Sequence, residues 1–311
     1  MNLEELKGLQ AKIIKKNKTA NKIGTIVIIT ILLILSSVVF FKTKNIMSVL
    51  LSDFFCFIFC FIILTIVKTI INGKDIRLFN KEFKNIFVFT ALKSTFQNVK
   101  YSPDKGFSES FVDEIGMINT SDRFNSNDYI SGTYKGIKFE QSDMHIEEEH
   151  ETTDSEGNKT TTWITIFRGR LMIFDFNKSF KSNIRVSTKY FRADKLPWSK
   201  KFSKIKMEDV EFNKLFSIYS QSEHEAFYIL TPHFMEKIKT LTNNLNCGIM
   251  YAFIDNKLYI AIDNNTDSFE YNVFKVIDEQ KINEDLSKDI RLITKFVEEL
   301  NLEKDLFRKE V

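Results

Sequence analysis

The residues best suited to chemistry lie in one short run, His145-Ile-Glu-Glu-Glu-His150-Glu151. Imidazoles and carboxylates are ordinary zinc ligands and ordinary partners in proton transfer. Their spacing here argues against a metal. On a strand, His145, Glu147, Glu149 and Glu151 share one side while Glu148 and His150 share the other. On a helix the two histidines are five apart, not the four of a zinc-binding HExxH pair. A solvated, charged arm is the expected state of the run, with His145 and Glu147 as its candidate metal-ligating pair.

Arg168-Gly169-Arg170 is the second candidate. Strand alternation puts both guanidinium groups on one side, and the intervening glycine permits close approach. Paired arginines bind phosphate bidentately, so Arg168 and Arg170 are candidates for a phosphate or lipid headgroup. Pairing with nearby glutamates on the outer face of a half-buried strand is the alternative. His224 and His233 fall in the first turns of expected helices, without Cys or Ser partners arranged for nucleophilic catalysis. With no nucleophile–base pair, Gly-rich phosphate loop or full metal-ligand set, no cofactor is expected.

The element that positions everything else is a pair of apolar runs between Ile23 and Ile71. About 20 apolar residues are needed to cross ~30 Å of hydrocarbon, and Ile23–Phe41 carries no charge at all. A cleaved signal sequence would have a core of only ~7–15 residues and a small-residue cleavage site; this run ends in Val-Val-Phe-Phe-Lys. In the second run, a span starting at Ile46 would leave Asp53 ~5 Å from the midplane, at a cost of ~2.5–3.5 kcal/mol. A span of about 51–71 moves Asp53 towards the interface and lets Lys68 snorkel at the other edge. That is cheaper than an ion- or proton-handling role. Thr30 and Ser37 share a face of the first helix, and Asp53, Cys56 and Cys60 share a face of the second. Small and polar residues favour helix contact in lipid, so these faces are expected to meet.

Lysines set the orientation. Six lie before the first span and Lys74, Arg77, Lys81 and Lys84 follow the second, whereas the connecting loop offers only Lys42 and Lys44. Positive flanks stay in the cytoplasm, which predicts a multi-pass protein of the inner cell membrane with both termini cytoplasmic. Segment 1–22 reads as a basic amphipathic helix that either lies on anionic lipid or is a solvated tail. Residues 74–311 suffice for one cytoplasmic domain, or two divided at 74–200 and 201–311. A net charge of +3 gives no case for nucleic acid, and three cysteines make no disulfide framework. The richness in Lys, Asn, Ile and Phe, with only 3 Pro, points to an AT-rich genome.

Beyond the hairpin, Asn72-Gly73 is expected to break the helix. A Phe-striped helix then carries Phe79, Phe83, Ile86, Phe87, Leu92 and Phe96, as far as Tyr101-Ser-Pro. A short helix is expected after Ser108. Period-two patterning follows at Tyr129–Tyr134, Ile137–Met144, Trp163–Phe176 and Asn183–Thr188. These form an antiparallel meander with a flexible polar tip at Asp154–Asn158. Phe212, Leu215 and Phe216 mark a helical segment. Ser222-Glu-His-Glu225 reads as a capping box, and Thr231-Pro232 starts another helix. Asp255-Asn256 turns a hairpin, and a last helix begins near Asn283. The fold class is α+β, a two-helix transmembrane hairpin followed by antiparallel strands and packing helices.

Several pieces together carry a resemblance: the N-terminal hairpin, Asp128-Tyr-Ile-Ser-Gly-Thr-Tyr, Phe167-Arg-Gly-Arg-Leu-Met-Ile-Phe-Asp-Phe, Phe216-Ser-Ile-Tyr-Ser, Glu225-Ala-Phe-Tyr-Ile-Leu-Thr-Pro232 and Leu258-Tyr-Ile-Ala-Ile262. The chain beyond about residue 75 resembles a bacterial membrane-anchored family defined only as a domain of unknown function. The resemblance implies a cytoplasmic domain on a two-helix anchor and a LemA-like membrane protein as partner, and it supplies no catalytic residues. Two function classes follow. One is a non-enzymatic interaction or scaffold module contacting the lipid bilayer, another membrane protein or lipid headgroups. The other is a hydrolase-like enzyme whose site gathers His145, Glu147 and Arg168 or Arg170. Homo-oligomerisation has no signature in the residues.

Overall fold

The computed structural model describes residues 1–302 except 177, 179, 192–195 and 197–199. The chain forms two compact units, Met1–Val88 with Glu270–Ile282, and Phe89–Phe269 with the residues from Asn283 onward. The division expected near residue 200 falls beside residues outside those described.

The first unit is built on α1 (Leu3–Thr43) and α2 (Ile46–Phe83). At ~1.5 Å per residue, the 41 residues of α1 run for about 60 Å without a break. A capping box starts it: Asn2 Oδ1 accepts from the Glu5 amide, and Glu5 Oε2 accepts from the Asn2 amide. Lys44, at φ 52°, closes it in the left-handed conformation, and Asn45 caps α2. Both helices contain a stretch long and apolar enough to cross a membrane, the second at Val49–Ile70. Large side chains there, such as Leu33, Phe41, Phe55 and Phe59, are exposed.

Two contacts bring the helices together. A Cβ on Gly24 would lie 2.3 Å from Leu64 Cδ1, so any larger residue requires the leucine to move aside. Ser36 Oγ donates to Asp53 Oδ2 at 2.6 Å. Asp53, Cys56 and Cys60 are half-buried along one side of α2, with the two sulfurs 3.9 Å apart. Thr30 and Ser37 are placed differently from expectation. Both are exposed and return their hydroxyls to Ile26 O and Leu33 O of their own helix. The hydroxyl that reaches Asp53 belongs to Ser36, one residue round the helix. Intramembrane hydrogen bonds average ~0.6 kcal/mol, with a maximum near 1.7. Ser36→Ala should therefore weaken the hairpin by about 1 kcal/mol in a steric-trapping unfolding assay, whereas Ser37→Ala should not.

α2 also passes straight through Asn72-Gly73, where a break was expected. Asn72 is buried, nothing lies within 4 Å of a Cβ on Gly73, and Asp75 is held by Lys12 (3.6 Å) and Lys16 (2.5 Å) of α1. Beyond Phe83 the coil widens into one π-turn, Lys84–Val88. The apolar stripe of the N-terminal segment is already covered. Leu6 and Ile13 are fully buried, and Gln10 Nε2 donates to Val273 O (2.8 Å) and Lys275 O (2.5 Å). Tyr271 stacks on Phe83 at 4.6 Å between centroids, and Lys84 pairs with Glu270 at 2.6 Å. The apolar stripe of the segment is thus packed against protein, and most of its lysines stay exposed.

The second unit is α+β. After α3 (Phe89–Thr95) come β1 (Gln97–Ser102), α4 (Glu109–Ile115), β2 (Arg123–Tyr134), β3 (Ile137–Thr153), β4 (Lys159–Asp175), β5 (Ile184–Thr188) and β6 (Ser203–Ile205). Then follow α5 (Val210–Leu215), β7 (Phe216–Ser220), α6 (Glu223–Ile229), α7 (Pro232–Leu245), β8 (Gly248–Ile254), β9 (Lys257–Asp263) and α8 (Glu279–Glu299). The nine strands described form one sheet in the order β1-β2-β3-β4-β9-β8-β5-β7-β6, every pairing antiparallel. The hairpin turning at Asp255-Asn256 sits in the middle of this sheet, against β4, and founds no second one. The Phe-striped helix stops at Thr95 because the chain crosses to β1, and Phe216 opens a strand instead of ending a helix.

From Gly169 to Phe174, β4 is buried on both sides. Leu171 and Ile173 pack with Val112 and Ile115 of α4, and Phe174 lies 6.4 Å from Phe296 of α8. On the same sheet Phe253 meets Phe234 of α7, and Tyr251 bonds Thr242. At ~25 cal/mol per Å², such two-sided burial here and along β8 and β9 contributes strongly to the unit's stability. Ser222 Oγ caps α6 by accepting from the Glu225 amide, yet the Glu225 carboxylate turns outward to the amides of Lys181 and Ser182. Only half of that capping box forms.

Candidate functional site

β3 and β4 carry the candidate residues of the sheet unit. The register sets Asp143 opposite Arg170 and His145 opposite Arg168. His145 Nε2 lies 3.1 Å from Thr165 Oγ1 and 3.9 Å from Glu147 Oε1. Both side chains are partly exposed, and among the described residues no third His, Cys or carboxylate closes a metal-binding set around them. His150 pairs with Glu148 at 3.2 Å. His233 lines a shallow surface cleft with Glu236, Lys237 and Glu298.

The two arginines part ways. Arg168 is half-exposed, its Nη2 3.9 Å from Asp267 and its amide donating to Asp263 Oδ1 at 3.1 Å. Arg170 is 2 % exposed. Its Nη1 donates to Asp289 O at 2.8 Å, its Nη2 pairs with the Asp289 carboxylate, and its Nε donates to Ser268 and lies 3.7 Å from Asp143. All this fastens α8 to the sheet. Three of its five N–H donors are committed inside the fold and the side chain is buried, so Arg170 does not share an open surface with Arg168. Gly169 does permit a close approach, but by the chain itself: a Cβ there would stand 1.9 Å from the Ile262 carbonyl oxygen of β9.

Burial pushes the Asp143 carboxyl up to about 6, against the opposing pull of Arg170 and the Ser268 amide. The ordinary value is near 3.9. Between these values the folded protein holds a proton that the unfolded chain has released. The resulting stability is full at low pH and is lost as pH rises through about 6. At ~1.4 kcal/mol per unit, wild type should lose on the order of 3 kcal/mol relative to Asp143→Asn between about pH 4 and pH 7. Thermal unfolding of the two proteins across that range measures it. A pH-independent difference contradicts the assignment.

Arg185, on β5, was not legible as a special residue. It is 4 % exposed, its Nη2 donates to Ile115 O at 2.6 Å, and burial lowers it to about 10. Together with Asp113, Glu114 and Lys201 it lines a cavity of about 310 Å³. An arginine between Ile184 and Val186 on a strand buried on both sides was the available signal.

The remaining feature is the arm. Beyond Glu147, β3 and β4 leave their neighbours and continue as a two-stranded ribbon to the turn at Asp154–Asn158, exposed throughout except at Glu147 and Trp163. Asp154 Oδ1 accepts from the amides of Glu156 and Asn158, and Gly157, at φ 87°, completes the turn. The base is clamped where Arg123 stacks on Trp163 at 3.3 Å.

Among known proteins, the crystal structure of the mycobacterial trehalose monomycolate transport factor A, TtfA, superposes with a TM-score of 0.36 at 8% identity. The superposition covers 72% of this chain and 94% of that one, a likeness too slight to carry an argument. No curated protein matches the chain. Over residues 165–302, from Thr165 in β4, at the base of the ribbon, to just past the end of α8, the chain carries the match to the family described as protein of unknown function, DUF3137.

Proposed function

We propose that this protein is a membrane-anchored, non-enzymatic docking module. The α1–α2 hairpin spans the cytoplasmic membrane twice, both termini face the cytoplasm, and residues 74–311 lie on that side. The single observation that supports this most is how the sheet unit disposes of its reactive groups. Arg170, Asp143 and Asp289 are spent on holding α8 in place, whereas the carboxylates of the ribbon from Glu148 to Glu156 stand exposed.

That ribbon carries Glu147, Glu148, Glu149, Glu151, Asp154 and Glu156 against Lys159 as its one permanent cation. A basic patch on another membrane protein is its natural complement, since charge complementarity mainly supplies steering and specificity. A LemA-like protein is the partner that the family resemblance suggests. A photoreactive phenylalanine analogue in place of Thr161, on the exposed ribbon, tests this in intact cells. The expected result is an adduct to one membrane protein that is lost when Glu148, Glu149 and Glu151 become glutamine. Crosslinks no different from those of a probe at exposed Lys288 would sink the proposal.

A further inference from the structure

We infer that the base of the hairpin is a binding site for anionic phospholipid headgroups, an inference that rests on the spanning reading of α1 and α2. The contacts between the helices fix their levels. Gly24 meets Leu64, and Lys16 meets Asp75, so Lys22 and Lys68 stand at one height and Lys15, Lys18 and Lys74 lie within the next two turns. These heights cover ~10 Å along the axis, just outside the apolar runs. Headgroup layers, about 5–7 Å deep on each side of the hydrocarbon, take in the upper part of this region, and the long side chains below can reach up to them.

Between residues 12–24 and 64–77 the sequence holds seven lysines, one arginine and one carboxylate, Asp75. Asp75 is used up. Lys12 and Lys16 flank it, and the bond from Lys16 holds its carboxyl below the ordinary value. Lys15, Lys18, Lys22, Lys74 and Arg77 are exposed and Lys68 half-buried, and none has an ion-pair partner among the described residues. Lys15, Lys18 and Lys22 are spaced i, i+3, i+7, so they form one stripe along α1. Like charges at such spacing cost a helix ~0.2–0.5 kcal/mol per pair. Anionic headgroups at the same height would remove that cost, and each lysine near such a surface contributes ~1 kcal/mol. The opposite end of the hairpin offers only Lys42 and Lys44, so the site belongs to one leaflet.

The test uses the purified full-length protein, offered phosphatidylglycerol and phosphatidylcholine of matched chains in detergent and read by native mass spectrometry. Wild type should retain phosphatidylglycerol with a preference of at least about fivefold, the equivalent of one such lysine. The variant K15Q/K18Q/K22Q should lose it, while K42Q/K44Q keeps it. No preference in wild type, or equal loss in both variants, overturns the inference. So does displacement of the lipid by inorganic phosphate at equal concentration, which would mark a site for a soluble anion. Alkaline carbonate extraction of the same membranes separates the two levels: release of the protein refutes the anchor, and retention without lipid preference refutes only the site.

Discussion

Arg170→Ala should lower the stability of the sheet unit by about 3–5 kcal/mol, the usual cost of removing one partner from a buried ion pair. The arginine is 2 % exposed and serves Asp289, Ser268 and Asp143 together. Its loss strands the Asp143 carboxylate, 3 % exposed, without its counter-charge. For a unit of this size that corresponds to roughly 6–20 °C in Tm, readable as thermal unfolding in detergent. Arg168→Ala, two residues away and half-exposed, should shift it by no more than ~1 kcal/mol. Equal effects would mean that the pair acts on the surface, as a ligand site would.

Gly169→Val should be at least as damaging, about 3 kcal/mol or more. Its Cβ would occupy the place of the Ile262 carbonyl oxygen, and β9 would have to leave β4 along the pairing from Gly169–Asp263 to Asp175–Lys257. That pairing joins the β1–β4 meander to the rest of the sheet. The expected result is loss of protection from hydrogen exchange in β9 and β8, while α1 and α2 keep theirs. Unchanged protection in β9 would show that the strands tolerate separation at this point.

Much of this architecture was legible because local patterning carried it. The two apolar runs, the caps at Ser108 and Thr231, the Asp255-Asn256 turn and the period-two strands all depend on near neighbours. What was hidden depended on distant ones. Asn72-Gly73 looks like a helix break until Asp75 finds Lys12 and Lys16 about sixty residues away. Arg168 and Arg170 have the same side-chain type and face, yet only Arg170 lies where α8 arrives with Asp289. The stripe of Leu6 and Ile13 reads as a membrane-surface helix until residues 270–282 return to cover it. Gly169 shows its function only against the carbonyl of a strand more than ninety residues on. A lone sequence states which groups are available and leaves open which of them are spent inside the fold.

The most direct test of the anchored-module account is protease accessibility in sealed membrane vesicles of both orientations. In right-side-out vesicles the sheet unit should survive intact, with at most the short loop around Lys44 open to attack. In inside-out vesicles the same protease should first cut the exposed ribbon near Asp154–Asn158 and remove the unit. Digestion of the sheet unit from the outside of right-side-out vesicles, or its survival in inside-out ones, would contradict the account.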